Sequence, residues 1–227
     1  MKYDFNLLIK RTSRKKTLSI TIRDQKVILS APKYVSDEEI DQILRSKVAW
    51  IQKKLTFERE SIKLNKKYFT KGEVFLYLGK EYYLDIINNN KSNIYISNNN
   101  LIIESTNYNN NTLIKNELRI WYMKQATKRI ELIHKYYETL MNLKSKKIIF
   151  GEYKSKWGSC NIKKVISYDW RIIMSPLTVI NYIVVHEISH ILHPNHSKNF
   201  WSFVEKYIRD YKVQRKWLRQ NSKKLVL

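Results

Sequence analysis

One cysteine, Cys160, stands alone among 227 residues, so no disulfide can form within the chain. A reducing compartment is therefore expected. Long apolar runs are missing too. No window approaches the ~20 apolar residues of a membrane-spanning helix. The opening MKYDFNLLIK has no apolar run long enough for a signal peptide. The expectation is a soluble, cytoplasmic protein with no membrane partner. No internal repeat is evident, and nothing in the sequence fixes an oligomeric state.

Acidic residues are scarce: 20 Asp and Glu face 43 Lys and Arg, a formal charge of +23. Such a surplus fits nucleic acid, a nucleotide, anionic lipid or an acidic substrate as partner. It also fits compositional drift, because Lys outnumbers Arg, Asn runs recur, and no arginine-rich tract or single basic helix face stands out. The 43% hydrophobic content is that of an ordinary globular protein, enough for a sizeable core.

The first half of the chain alternates in the manner of strands. LSITIR (18–23) and KVILSA (26–31) read as two strands joined at Asp24-Gln25. Ser36, followed three residues later by Glu39, is a capping box that opens a helix carrying Ile40, Ile43, Leu44 and Ile51 at helical spacing. Strand-like stretches follow at 73–79, 81–87, 93–97 and 101–105, separated by Asn clusters suited to turns. A long helix is expected from about Thr112 to Leu143, then strands at 147–153, around SKWGSC and at 165–170. Ser175 as N-cap and Pro176 at the first helical position should open the next helix, and Pro194 should close it. Helices at about 197–208 and 213–219 complete an α+β chain. The composition changes near 107–111, so the expected division is a β-rich region at 1–110 and a helical, metal-bearing domain at 111–227, or one continuous domain.

Histidines are few, yet four of the five fall in the eleven residues from His186 to His196. His186-Glu187-Ile188-Ser189-His190 is H-E-x-x-H. Residues four apart on a helix share a face, so both imidazoles can reach one ion. Glu187 points near that face and can take a proton from a metal-bound water without being a ligand itself. Chance yields about 0.006 such matches for this composition. No Lys or Arg occurs from Ile172 to Ser197, where the chain average gives roughly five. That helix therefore reads as running through a core. Catalytic zinc sites hold three protein ligands and keep a position open. His193 and His196 compete for the third place. His196 is preferred, because it follows the break at Pro194 and the chain can turn back there, whereas His193 suits a helix end favoured by the dipole. A structural site closed by four ligands remains the alternative, with His193 or Cys160 as the fourth.

Trp157, Gly158, Ser159 and Cys160 form a second candidate element. Gly158 allows close backbone approach, and an edge strand beside the metal could hold an extended substrate by strand addition. The plainer reading is a core tryptophan followed by a turn. Cys160 is not needed as a nucleophile. Arg11, Arg14, Lys15 and Lys16 make a basic cluster that reads as a solvated loop more readily than as a phosphate site. Arg215, Lys216 and Arg219 either face the site as anion binders or form a solvated helix face. Tyr182 lies one turn before His186, but its hydroxyl is not placed by the sequence.

INYIVVHEISHILHPNHSKNFW preceded by SKWGSC resembles the YgjP-like metallopeptidases, relatives of the SprT-like and WLM proteases among the zincins. RTSRKKTLSITI, VAWIQKKL and RKWLR resemble the opening and the end of that family. The resemblance thus spans nearly the whole chain and is weakest at about 87–116. Asn181 stands where the family often has Asp, and Ser189 where a Cys is common. The resemblance implies a zincin-like helical core with a mixed sheet, Zn²⁺ held by His186, His190 and His196, Glu187 as general base, and a peptide or protein substrate. A nucleoside triphosphate (UTP) pyrophosphatase activity is also attributed to the family. A noncatalytic, nucleic-acid-binding zinc protein is the third possibility, although such a protein has no need of Glu187 between its ligands.

Overall fold

The computed structural model describes residues 3–227, side chains at 61, 62 and 64 excepted. Met1 and Lys2 of the opening segment lie outside it. The chain divides into two compact units, 1–66 and 67–227. The composition change near 107–111 falls inside the second unit, between a sheet and the helix that packs on it.

In the first unit, β1 (Asn6–Thr12), β2 (Ser19–Arg23) and β3 (Lys26–Pro32) form a sheet in the order β1-β3-β2. Asp24 and Gln25 both take left-handed backbone, with φ of 50° and 58°. This is the two-residue turn that matches the twist of a hairpin. Strand β1 pairs in parallel with β3 and was not expected from its largely exposed, weakly alternating sequence. Val27, Leu29 and Ala31 alternate onto one buried face of β3 and pack with Ile40, Leu44 and Ile51 of α1 (Asp37–Asn65). The capping box forms as expected: the Glu39 amide donates to Ser36 Oγ at 3.1 Å, and the Ser36 amide to Glu39 Oε2 at 2.9 Å.

The second unit begins with a four-stranded sheet ordered β4-β5-β7-β6, from β4 (Val74–Tyr77), β5 (Lys80–Asn88), β6 (Asn93–Ser97) and β7 (Asn100–Ser105). Helix α2 (Asn111–Met141) starts at Asn110, whose side chain accepts from the amides of Thr112 and Leu113. Its buried residues recur every four positions from Ile114 through Leu118, Tyr122, Ala126 and Ile130 to His134. That spacing keeps one stripe against the core. His134, the fifth histidine, is fully buried there, with Nδ1 2.9 Å from Tyr168 Oη and Nε2 3.0 Å from Ser145 Oγ.

A second sheet follows, ordered β8-β10-β9, from β8 (Lys147–Gly151), β9 (Gly158–Cys160) and β10 (Val165–Asp169). A 3₁₀ turn over Trp170–Met174 leads into α3 (Leu177–Ser189), and α4 (Lys198–Tyr207) and α5 (Tyr211–Asn221) complete the unit. The chain is α+β, a β-rich part followed by a helical part.

The start of α3 differs from expectation. The helix begins at Leu177 with Pro176 as the flanking residue and no side-chain cap. Ser175 Oγ turns back and donates to the Ile172 carbonyl at 2.6 Å, closing the 3₁₀ turn instead. The β4–β5 hairpin pins this point. The Leu78 and Gly79 amides donate to the carbonyls of Ile173 and Met174. Gly79 has φ of +78°, and a Cβ there would come within 2.9 Å of the Pro176 backbone. Helix α3 is thereby held at its first turn, with Val179, Ile180, Ile183, Val184, Val185 and Ile188 buried around it. The absence of Lys and Arg read from the sequence is the signature of this burial.

Candidate metal centre

His186 lies in the last turn of α3, and His190 is the residue that ends the helix, still in helical conformation. The chain then turns through Pro194, and His196 comes back just before Ser197 caps α4. One ligand atom from each of His186, His190 and His196 lies within 4.8 Å of the others. Nε2 of His186 and Nε2 of His196 are 3.0 Å apart. Two imidazole nitrogens bound to one tetrahedral zinc at about 2.0–2.1 Å sit roughly 3.3 Å apart, so the donor set fits such an ion. His190 Nδ1 lies 3.0 Å from the His193 carbonyl, which fixes the ring and leaves Nε2 for a metal. His193 contributes that carbonyl, while its ring stands edge-on to Phe203 at 5.5 Å.

Aromatic rings wall the cluster. Phe200 lies against all three imidazoles at centroid distances of 4.6–4.9 Å. Trp201 stacks on His196 at 5.5 Å, and the Arg215 guanidinium covers Trp201 at 4.9 Å. Tyr182 Oη sits 3.5 Å from His186 Nδ1. Only the four-residue spacing on α3 hinted at that contact in the sequence.

The electrostatics favour neutral imidazoles. Burial, with the neighbouring His190, His196 and Arg215 charges, lowers the His186 pKa to about 3. Burial lowers those of His190 and His196 as well. Neutral imidazole is the form that binds metal. Glu187 is only 5% exposed, and burial raises its carboxyl to about 8, with the Lys156 ammonium pulling the other way.

Strand β9 stands beside this carboxyl. A Cβ at Gly158 would come within 2.6 Å of Glu187 Cγ and Oε1, so the close approach foreseen at this glycine is made to Glu187 itself. Within its sheet β9 pairs with β10 alone, leaving its other edge without a strand partner among the described residues. Trp157 lies under the Arg171 guanidinium at 5.5 Å, and Ser159 Oγ accepts from Lys156 Nζ at 2.7 Å. Cys160 is partly buried. Its thiol pKa is raised by burial and by Glu187, which opposes a thiolate role.

These shifts carry a pH signature for the metal-free protein. A carboxyl with a raised folded pKa stabilises below its unfolded value, and that contribution is lost as pH climbs through about 8. Histidines with lowered folded pKa values stabilise above about 6.5, and that contribution is lost as pH falls. Thermal stability after chelation should therefore peak near neutrality. Between pH 6.5 and 8, wild type should lose stability relative to Glu187→Gln. Parallel melting curves for the two proteins across that range would contradict the assignment.

Three histidines able to hold a divalent metal, a buried carboxyl and a strand edge without a strand partner among the described residues thus lie together. The sequence profile of the YgjP-like metallopeptidase domain matches residues 16–221, so the chain belongs to the YgjP-like metallopeptidase family. Among solved structures the chain is similar to a metallopeptidase zymogen, abylysin of Pyrococcus abyssi, at 18% identity and a TM-score of 0.38. That match covers 43% of this chain and 99% of the other. Comparison with curated proteins gives no match.

Proposed function

We propose that this chain is a zinc-dependent peptidase in which His186, His190 and His196 hold the metal and Glu187 is the general base. The observation that carries the reading is the convergence of three imidazoles beside a buried carboxyl that follows His186 on the same helix. A bound zinc would supply Lewis acidity, acidify a water, and by its charge draw the Glu187 pKa down toward the range of a working base. Glu187 then accepts the proton of the attacking water and passes it to the leaving amine. Tyr182 and the His193 carbonyl keep His186 and His190 in orientation. The free edge of β9, from Trp157 to Cys160, binds the substrate backbone by strand addition, which brings a peptide bond past Glu187.

A half-buried, unpaired Cys160 accords with work in the cytoplasm. None of the described helices is long and apolar enough to cross a membrane. The test is cleavage of unfolded protein or peptide by purified protein, with and without o-phenanthroline. Cleavage that stops with chelator and returns with zinc is expected. Chelator-insensitive cleavage would refute a metal mechanism.

The +23 charge favours one second reading, a UTP pyrophosphatase. Pyrophosphate release from UTP with added Mg²⁺, and no peptide cleavage, would support it. A noncatalytic nucleic-acid protein would bind with steep salt dependence and would tolerate Glu187→Gln.

A further inference from the structure

Strand β2 lies at the edge of its sheet. It pairs with β3 alone, and its other edge has no strand partner among the described residues. Such an edge presents a row of backbone donors and acceptors that can pair with another chain. Ile20 stands opposite Leu29 and Ile22 opposite Val27, so these side chains share the face of the sheet that α1 covers. Leu18 packs with them.

Ile40, Leu44 and Ile51 of α1 are buried with Val27, Leu29 and Ala31 of β3. Ile43, Lys47 and Trp50 form the neighbouring stripe of the helix, at helical spacing. With Leu18 and Ile20 they line a cavity of about 590 Å³, and none of its described lining residues belongs to β1 or β3. Because α1 already covers β3, this cavity opens on the free side of β2. Trp50 is 43% exposed there. A second cavity, of about 410 Å³, shares Leu18 and Ile43 and carries the groove on past Lys16, Tyr34 and Glu39.

Lys16 and Lys47 pair with no carboxylate among the described residues. Glu39 is the one acidic side chain among the described lining residues, and its Oε2 is engaged by the Ser36 amide at 2.9 Å. The rim of the groove is thus cationic and its floor apolar, with the two-residue repeat of a strand. These features fit an extended acidic peptide better than a nucleic acid, whose backbone cannot continue a β-ladder. We propose that the groove along β2 docks an extended polypeptide segment as a fourth strand, one with apolar side chains at alternate positions and an acidic residue beside them. Every residue that forms the groove belongs to the first unit, so it is a site apart from the metal centre.

The test is fluorescence anisotropy with full-length Glu187→Gln protein, so that peptides are not cut. The probe is a labelled peptide that alternates Val with Ser and carries Glu at each end. Binding should weaken about tenfold when the order is scrambled and in Trp50→Ala, the scale on which a buried aromatic anchor contributes. N-methylation of one alternate set of peptide amides should abolish binding, while methylation of the other set should change it by less than about twofold, because a strand turns every second amide to its neighbour. That comparison needs no change in the protein. Gln in place of Glu should cost up to about fivefold, and that loss should vanish when Lys16→Glu and Lys47→Glu are combined. Equal binding of the two methylated peptides overturns the proposal. So does binding that survives Trp50→Ala, which would put the peptide at another site such as β9. Oligouridylate that binds more tightly than the peptide, and is lost in Trp50→Ala, would assign the groove to nucleic acid and overturn it. A dimer in sedimentation that Trp50→Ala dissolves would assign it to a second copy of the chain, and overturns it as well.

Discussion

Glu187→Gln should lower turnover at least ~10³-fold while leaving the metal in place, measured as kcat on a peptide substrate beside metal content. General acid–base catalysis accounts for about 10²–10⁴ in rate. Here one carboxyl is assigned both the proton taken from water and the proton given to the amine. The exchange is nearly isosteric and puts a neutral amide in a pocket that already favours a neutral group, so folding should not suffer. Retained metal with lost turnover separates base from ligand. Full activity in the variant would mean that another group moves the proton.

Gly158→Ala should be almost as damaging, by a different route. The added Cβ would fall 2.6 Å from Cγ and Oε1 of Glu187, well inside ordinary contact. The backbone of β9 is held by Asp169, whose amide donates to the Trp157 carbonyl at 2.9 Å, and by its pairing with β10. The Glu187 side chain is therefore the part that must move. A displacement of about 1 Å at a reacting centre can cost ~10²-fold, and at least that loss in kcat is expected, again with metal retained. Because both substitutions act through one carboxyl, Gly158→Ala should add little to Glu187→Gln. Additive losses in the double variant would place Gly158 in a separate role, such as substrate binding.

The convergence of the three histidines was legible because its signal is local. H-E-x-x-H needs only the helical repeat to bring two rings to one face, and Pro194 marks where the chain can return with His196. The Ser36 capping box and the Asp24-Gln25 hairpin are local in the same sense. What escaped was set by partners far along the chain. Strand β1 pairs in parallel with β3, across a hairpin, and its own sequence is mostly exposed. Strands β5 and β7 pair in parallel past β6, an order no turn residue announces. Ser175 has the residue type of an N-cap, but a 3₁₀ turn ahead of it competes for its hydroxyl. The need for glycine at 158 comes from Glu187, 29 positions later. The division after residue 66 has no compositional mark comparable to the Asn-rich stretch near 107–111, which turns out to be a loop between elements of one unit.

The ligand set is the claim on which the rest depends. Metal content by mass spectrometry, wild type beside His196→Ala and His193→Ala, tests it most directly. His193 offers only its carbonyl to the cluster, so replacing its ring leaves that contact available. The expected result is near one zinc per chain in wild type, retained in His193→Ala and lost in His196→Ala. Wild type that neither carries zinc nor takes it up on addition, or a His193→Ala protein that loses it while His196→Ala does not, would contradict the account.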